Sequence, residues 1–145
     1  MRIEGRWLVG SDGVERPVVD GYLSGSDGAQ LPVSLLIDTG ADLSILAPEI
    51  AQRFTGVDQP IPTGGSATGI GGSLPMFELA VDLLLPTKSG QRVRIHGPLP
   101  ILLEPGSLEL SVIGRDVLDQ FTFVYSRAQK SILLLTLPDN VTLHP

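Results

Sequence analysis

The chain has 145 residues, enough for one domain with a sizeable core, and at 42% hydrophobic and 18% charged it is too apolar for an intrinsically disordered segment. A formal net charge of −6 without basic clusters argues against a nucleic-acid partner. The absence of cysteine excludes disulfides, thiolate metal sites and a cysteine nucleophile.

Arg2 to Val9 is predicted as a first strand, closed by the Gly10-Ser11-Asp12-Gly13 turn. Val14 to Ser24 reads as a second strand, Gly25-Ser26-Asp27-Gly28 as a hairpin turn, and Ala29 to Ile37 as a third strand that runs into Asp38. After a short apolar continuation, Leu43 to Leu46, residues Pro48 to Phe54 suit a two-turn helix, with Pro at an early position and Glu49 in the first turn. Thr63 to Gly72 is glycine-rich. Phe77 to Leu83 then alternates apolar with polar or small residues, as a strand with one buried face does.

Lys88-Ser89-Gly90-Gln91 is a turn, and Arg92 to Ile95 alternates again. Leu99 to Leu103 is an apolar strand whose prolines suit an edge position. Leu108 to Ile113 is a further strand, followed by a short helix from Arg115 to Phe121. Thr122 to Tyr125 and Ser131 to Leu137 form a closing hairpin. There is no internal repeat and no linker, so the expectation is a single all-β domain over residues 1–145 with one or two short helices.

No apolar run reaches the roughly 18 residues of a membrane span. The charged N-terminus, Met1 to Arg6, lacks a signal-peptide apolar segment. A cytoplasmic protein, or a piece cut from a longer chain, with no membrane partner, is therefore expected. The two histidines, His96 and His144, are far apart in sequence. Without cysteine or a His-x-x-His pair, neither a metal nor another cofactor is expected.

One stretch stands out: Leu35-Leu36-Ile37-Asp38-Thr39-Gly40-Ala41-Asp42. An ordinary turn aspartate sits among polar neighbours, whereas Asp38 ends an apolar strand, where an ionised carboxylate is costly unless its charge is shared or solvated. Hydrolysis of an amide by water requires one group to take a proton and another to give one. Two carboxylates about 3 Å apart hold one proton between them, the arrangement known from aspartic proteases. The chain holds one Asp-Thr-Gly and no Asp-Ser-Gly, so this chemistry needs the second aspartate from another copy, on a two-fold axis.

The sequence resembles the retroviral-type aspartic proteases, or retropepsins, in three segments that occur in order. They are Leu36-Ile37-Asp38-Thr39-Gly40-Ala41-Asp42, the flap-like Gly69-Ile70-Gly71-Gly72, and Val112-Ile113-Gly114-Arg115-Asp116-Val117-Leu118. The resemblance spans roughly residues 14 to 137, with residues 1–13 as an N-terminal extension. It implies a retropepsin-like closed β-barrel and a homodimeric aspartic endopeptidase that cuts extended peptide or protein substrates without a metal.

The implied roles follow position by position. Asp38 is the catalytic residue, Thr39 grips the partner subunit, and Gly40 and Asp42 hold the substrate main chain. Leu36 and Val112 line side-chain pockets, while Ile70, Gly71 and Gly72 close over the peptide. Arg115 pairs with Asp42 as a buried structural pair.

Plainer readings stand beside these. The barrel can serve as a dimeric peptide-binding or assembly module without hydrolysis. A small β-rich nucleotide hydrolase is a further rival, but no Gly-Lys-Ser/Thr follows the glycines and the chain is poor in lysine. Asp116 reads as a helix-end carboxylate, His96 as a surface residue, and Trp7 as a core or dimer contact.

Overall fold

The computed structural model describes residues 1–54, 56, 58–69 and 71–136. Twelve strands and two short helices are present among them. The strands are β1 (Arg2–Glu4), β2 (Arg6–Val9), β3 (Glu15–Ser24), β4 (Gln30–Ile37), β5 (Ile61–Gly69), β6 (Gly72–Leu79), β7 (Asp82–Pro86), β8 (Arg92–Ile95), β9 (Leu99–Ile101), β10 (Ser111–Ile113), β11 (Thr122–Ser126) and β12 (Ser131–Leu135). The helices are α1 (Glu49–Arg53) and α2 (Arg115–Leu118).

These strands form three sheets. A six-stranded sheet runs β10-β4-β3-β7-β8, with β2 also paired to β3; β1-β12-β11 and β5-β6-β9 form two three-stranded sheets. In β4 the alternation of the sequence becomes alternation of burial: Val33, Leu35 and Ile37 face the core. They meet Val19, Leu23, Leu83, Leu85, Ile101, Ile113 and Leu134 in one cluster. Each such aliphatic side chain contributes about 1.5–3 kcal/mol when fully buried.

The predicted first strand is two strands. β1 pairs with β12 and β2 with β3, so the chain changes sheets at Gly5. A Cβ at Gly5 would lie 2.6 Å from Ile132 and 2.8 Å from the Val18 carbonyl, so this crossing needs glycine. Ile3 is nearly fully buried and belongs to the core cluster, which ties the first residues into the fold.

The predicted strand from Phe77 to Leu83 also divides, because Ala80 and Val81 carry the chain from β6 in one sheet to β7 in another. The final apolar segments are shorter than expected. Strand β9 stops at Ile101, β10 begins only at Ser111, and α2 ends at Leu118. Strand β9 does lie at a sheet edge, as its proline suggests. Leu137, at the end of the last predicted strand, lies outside the described residues.

A carboxylate pins the turn after β8. Asp82 accepts the Gly97 N–H at 2.8 Å and the Arg94 guanidinium at 2.7 Å, and these hold its carboxyl below the usual carboxylate range. A depressed folded-state value contributes stability above the unfolded value of about 4, and that contribution is lost as pH falls through the folded value. Asp82→Asn is therefore expected to flatten the acid limb of the stability curve, compared as denaturant midpoints at about pH 5 and about pH 3.

No helix among the described residues is long and apolar enough to cross a membrane.

Candidate active site

Strand β4 delivers Asp38 to the end of a parallel pairing. Leu35, Leu36 and Ile37 lie opposite Ser111, Val112 and Ile113, and the Asp38 N–H continues the ladder to the Ile113 carbonyl at 3.1 Å. A parallel pair needs a long crossover. Here the crossover contains α1, the β5–β6 hairpin and strands β7 to β9, so the strand holding Asp38 is locked by a segment more than 70 residues later.

The loop after β4 is tightly organised. Gly40 donates its N–H to Asp38 Oδ1 at 2.9 Å, and Ala41 donates to the Asp38 carbonyl at 3.2 Å. The start of α2 is laced to the same loop: Arg115 N–H reaches the Ala41 carbonyl at 2.9 Å and Asp116 N–H the Asp42 carbonyl at 3.2 Å. Gly114 sits between them, against the backbone of Ala41 and Leu43.

A polar cluster that the sequence reading missed, centred on the buried Ser44, secures this junction. The Ser44 hydroxyl donates to Asp116 Oδ1 at 2.7 Å and accepts the Gly114 N–H at 2.9 Å, while Ser44 N–H also reaches Asp116 Oδ1 at 2.9 Å. The one signal for it in the sequence is a lone serine inside the apolar run Leu43-Ser44-Ile45-Leu46. Asp116 takes the helix-end position expected, at the start of α2, where it also accepts the Val117 N–H. Ser44→Ala leaves the Gly114 N–H without its acceptor and is expected to cost about 1–3 kcal/mol, read as a shift in denaturant midpoint.

The Arg115–Asp42 pair forms, but it is not buried: the two side chains are 52% and 80% exposed. Helix α2 begins at the surface, so both ends of the pair reach solvent. Exposed pairs contribute about 0–1 kcal/mol, so Arg115→Ala is expected to change chain stability by less than about 1 kcal/mol in urea unfolding.

Asp38 is half-buried on the floor of a cleft of about 550 Å³. Leu43, Ile45, Leu102, Leu108 and Val112 line its walls, and Asp38 is its one charged residue among the described residues. The β5–β6 hairpin contributes Ala67 to Gly69 and Gly71 to Leu74 to the same cleft. Nearly every residue of β5 is exposed, so this hairpin stands out from the core. Its pairing slips between Pro62 and Ser66, where Gly64 has φ +78°, and Thr63 bridges the slip to the Met76 carbonyl at 3.0 Å.

The structure thus brings Asp38, Gly71, Gly72 and Val112 into one cleft. Leu36 and Asp42 are not among the residues lining it, and Ile70 lies outside the described residues. Thr39 is exposed and opens on a separate dent of about 360 Å³, with Pro17, Ile37, Phe123 and Tyr125. Leu43, Ile45, Leu74, Leu102 and Leu108 were missed as cleft residues, because they come from separate segments and carry no local mark. His96 is exposed, 3.5 Å from Asp82. Trp7 is half-buried, edge-on to Tyr125 at 5.4 Å and covered by Arg127.

No protein-family profile matches the sequence, and no curated protein matches it. Among solved structures, it is similar to EIAV protease in complex with the inhibitor HBY-793, with a TM-score of 0.51 and 23% identity over 72% of this chain and 86% of that one. It is also similar to a retropepsin-like aspartic protease from Rickettsia conorii, with a TM-score of 0.51 and 16% identity over 92% of this chain and 88% of that one. At these identities the likeness shows the fold: mostly β, with few short helices, and retropepsin-like.

Proposed function

We propose that this protein is an aspartic endopeptidase, active as a homodimer that pairs one Asp38 from each copy. The observation that carries this reading is Asp38 on the floor of a cleft whose other described lining residues are uncharged, beneath a glycine-rich hairpin. An extended peptide lies between floor and hairpin. The two Asp38 carboxylates share one proton, because like charges at that distance do not both ionise.

The ionised member takes a proton from a water held between the two, and that water attacks the scissile carbonyl. The protonated member donates to the carbonyl oxygen, and a proton then passes to the leaving nitrogen as the C–N bond breaks. The Gly40 N–H fixes Asp38 Oδ1 for this work, and apolar walls keep the cleft dry, which strengthens its electrostatics. Thr39, exposed beside the loop, makes the contact across the axis. Asp42 acts with Gly40 on the substrate main chain and, with Arg115, orders the loop. Gly71, Gly72 and the residue between them and Gly69, Ile70, close over the peptide, and Val112 and Leu36 supply side-chain pockets once the partner is in place.

The test is digestion of an unbiased peptide library across pH, read by mass spectrometry. The reading predicts discrete cleavage sites and a rate that falls on the alkaline side as the shared proton is lost. No cleavage at any pH by a folded dimer would reject the hydrolase and leave a peptide-binding module.

A further inference from the structure

We propose that the cleft continues into an outer groove along α1, which holds a distal segment of a protein substrate through a basic side chain and, two residues further from the scissile bond, an acidic one. The proposal rests on the peptidase reading above and names what the site recognises beyond the bond it cuts.

Three hollows adjoin one another on this side of the molecule. Leu108 lines both the cleft over Asp38 and a shelf of about 300 Å³. The shelf lies between Glu49, at the start of α1, and Pro105, Gly106 and Glu109 of the segment before β10. Glu49 in turn lines both the shelf and an outer hollow of about 520 Å³, whose lining includes Arg53. A peptide that leaves the cleft over Leu108 therefore meets Glu49 and Glu109 first and Arg53 after them. Nothing lies within 4 Å of the place a Gly106 Cβ would take, so the shelf is open to a peptide there.

The charges along this path are uncommitted. Glu49, Glu109 and Arg53 are exposed, and none of their side chains forms a hydrogen bond or ion pair among the described residues. Arg16, the cation that Glu109 acts on, is itself held by Asp12 at 2.6 Å. Arg6 and Asp20 in the outer hollow hold each other at 2.5 Å. The described walls of the cleft are uncharged, so they do not select charged side chains. The groove beside them does, by charge complementarity.

The helix sets the spacing. Glu49 and Arg53 are one turn apart on α1, about 6 Å along its axis. Two residues of extended peptide span about 6.6 Å, and their side chains point to the same side. A basic residue against Glu49 and Glu109 thus places an acidic residue, two positions further out, against Arg53. The reverse order sets like charges together at both places, so order is read as well as composition.

The experiment uses a library of long peptides in which Lys, Asp and Ala are scanned through the positions on both sides of a central apolar core. The parent protein is read by the peptides it cuts and Asp38→Asn by the peptides it retains, both by mass spectrometry. Glu49→Gln/Glu109→Gln and Arg53→Gln are made in each background. The substituted side chains are exposed, so the fold and the cleavage of short peptides confined to the cleft are expected to be unchanged. Peptides with Lys and then, two positions outward, Asp are expected to be cut and retained about threefold to tenfold better than their Ala counterparts, through KM. The double variant loses the preference for Lys, and Arg53→Gln loses the preference for Asp.

Cleavage and retention that ignore the outer residues, or a preference that survives these substitutions, overturn the groove. Cleavage without an outer preference removes the groove and leaves the hydrolase; retention of the Lys and Asp peptides without cleavage by the parent does the reverse. A folded protein that neither cuts nor retains any peptide contradicts both.

Discussion

Asp38→Asn is expected to fold as the parent does and to lose peptide cleavage by about 10²–10⁴-fold or more, the range that a positioned acid or base contributes. The fold survives because the contact Asp38 makes through Oδ1 is with the Gly40 N–H, and an amide oxygen accepts that bond equally well. Its backbone N–H and carbonyl, which bond Ile113 and Ala41, are untouched. What disappears is the ability to hold or release a proton at the cleft floor. Purified protein with an unchanged denaturant midpoint and full cleavage would remove Asp38 from the chemistry. Collapse of the fold would show instead that its ionised form is structural.

Gly114→Ala is expected to destabilise the chain by about 3 kcal/mol or more, the upper end for forcing atoms into packed space. Its φ of −104° suits any residue, so the penalty does not come from backbone conformation. It comes from room: an added Cβ would lie 2.7 Å from the Leu43 carbonyl group and 2.8 Å from the Ala41 oxygen. These are backbone atoms of the loop after Asp38, and they cannot swing aside as a side-chain end does. The same shift would disturb the bonds from Arg115 and Asp116 to Ala41 and Asp42. Chemical unfolding measures the loss, and a change below about 1 kcal/mol would show that the loop and α2 are less tightly joined than their contacts imply.

Local pattern made part of this molecule legible. The alternation in Arg92 to Ile95, and the Gly and Asp turns between strands, mark elements that form where expected. They do so because a half-buried strand shows the same period in sequence and in burial. The apolar approach to Asp38 likewise marks a carboxylate in an unusual place. Features set by tertiary contact were hidden. Gly5 looks like any glycine until Ile132 and the Val18 carbonyl close around it. Alternation continues across Ala80 and Val81 although the chain leaves one sheet for another there. The Arg115–Asp42 pairing was legible through resemblance, but its exposure was not, because burial depends on where α2 begins relative to the surface. The walls of the cleft come from four separate parts of the chain, and no single segment announces them.

Mixing the parent chain with Asp38→Asn, after the subunits have been allowed to exchange, asks most directly whether two copies make one site. If each site needs an aspartate from both chains, only parent–parent dimers cut, and an equimolar mixture retains about one quarter of the activity of the same total amount of parent protein. Activity should then follow the square of the parent fraction at every ratio. A straight-line dependence, with about one half remaining at equal amounts, would mean that each Asp38 works alone and would contradict the shared site.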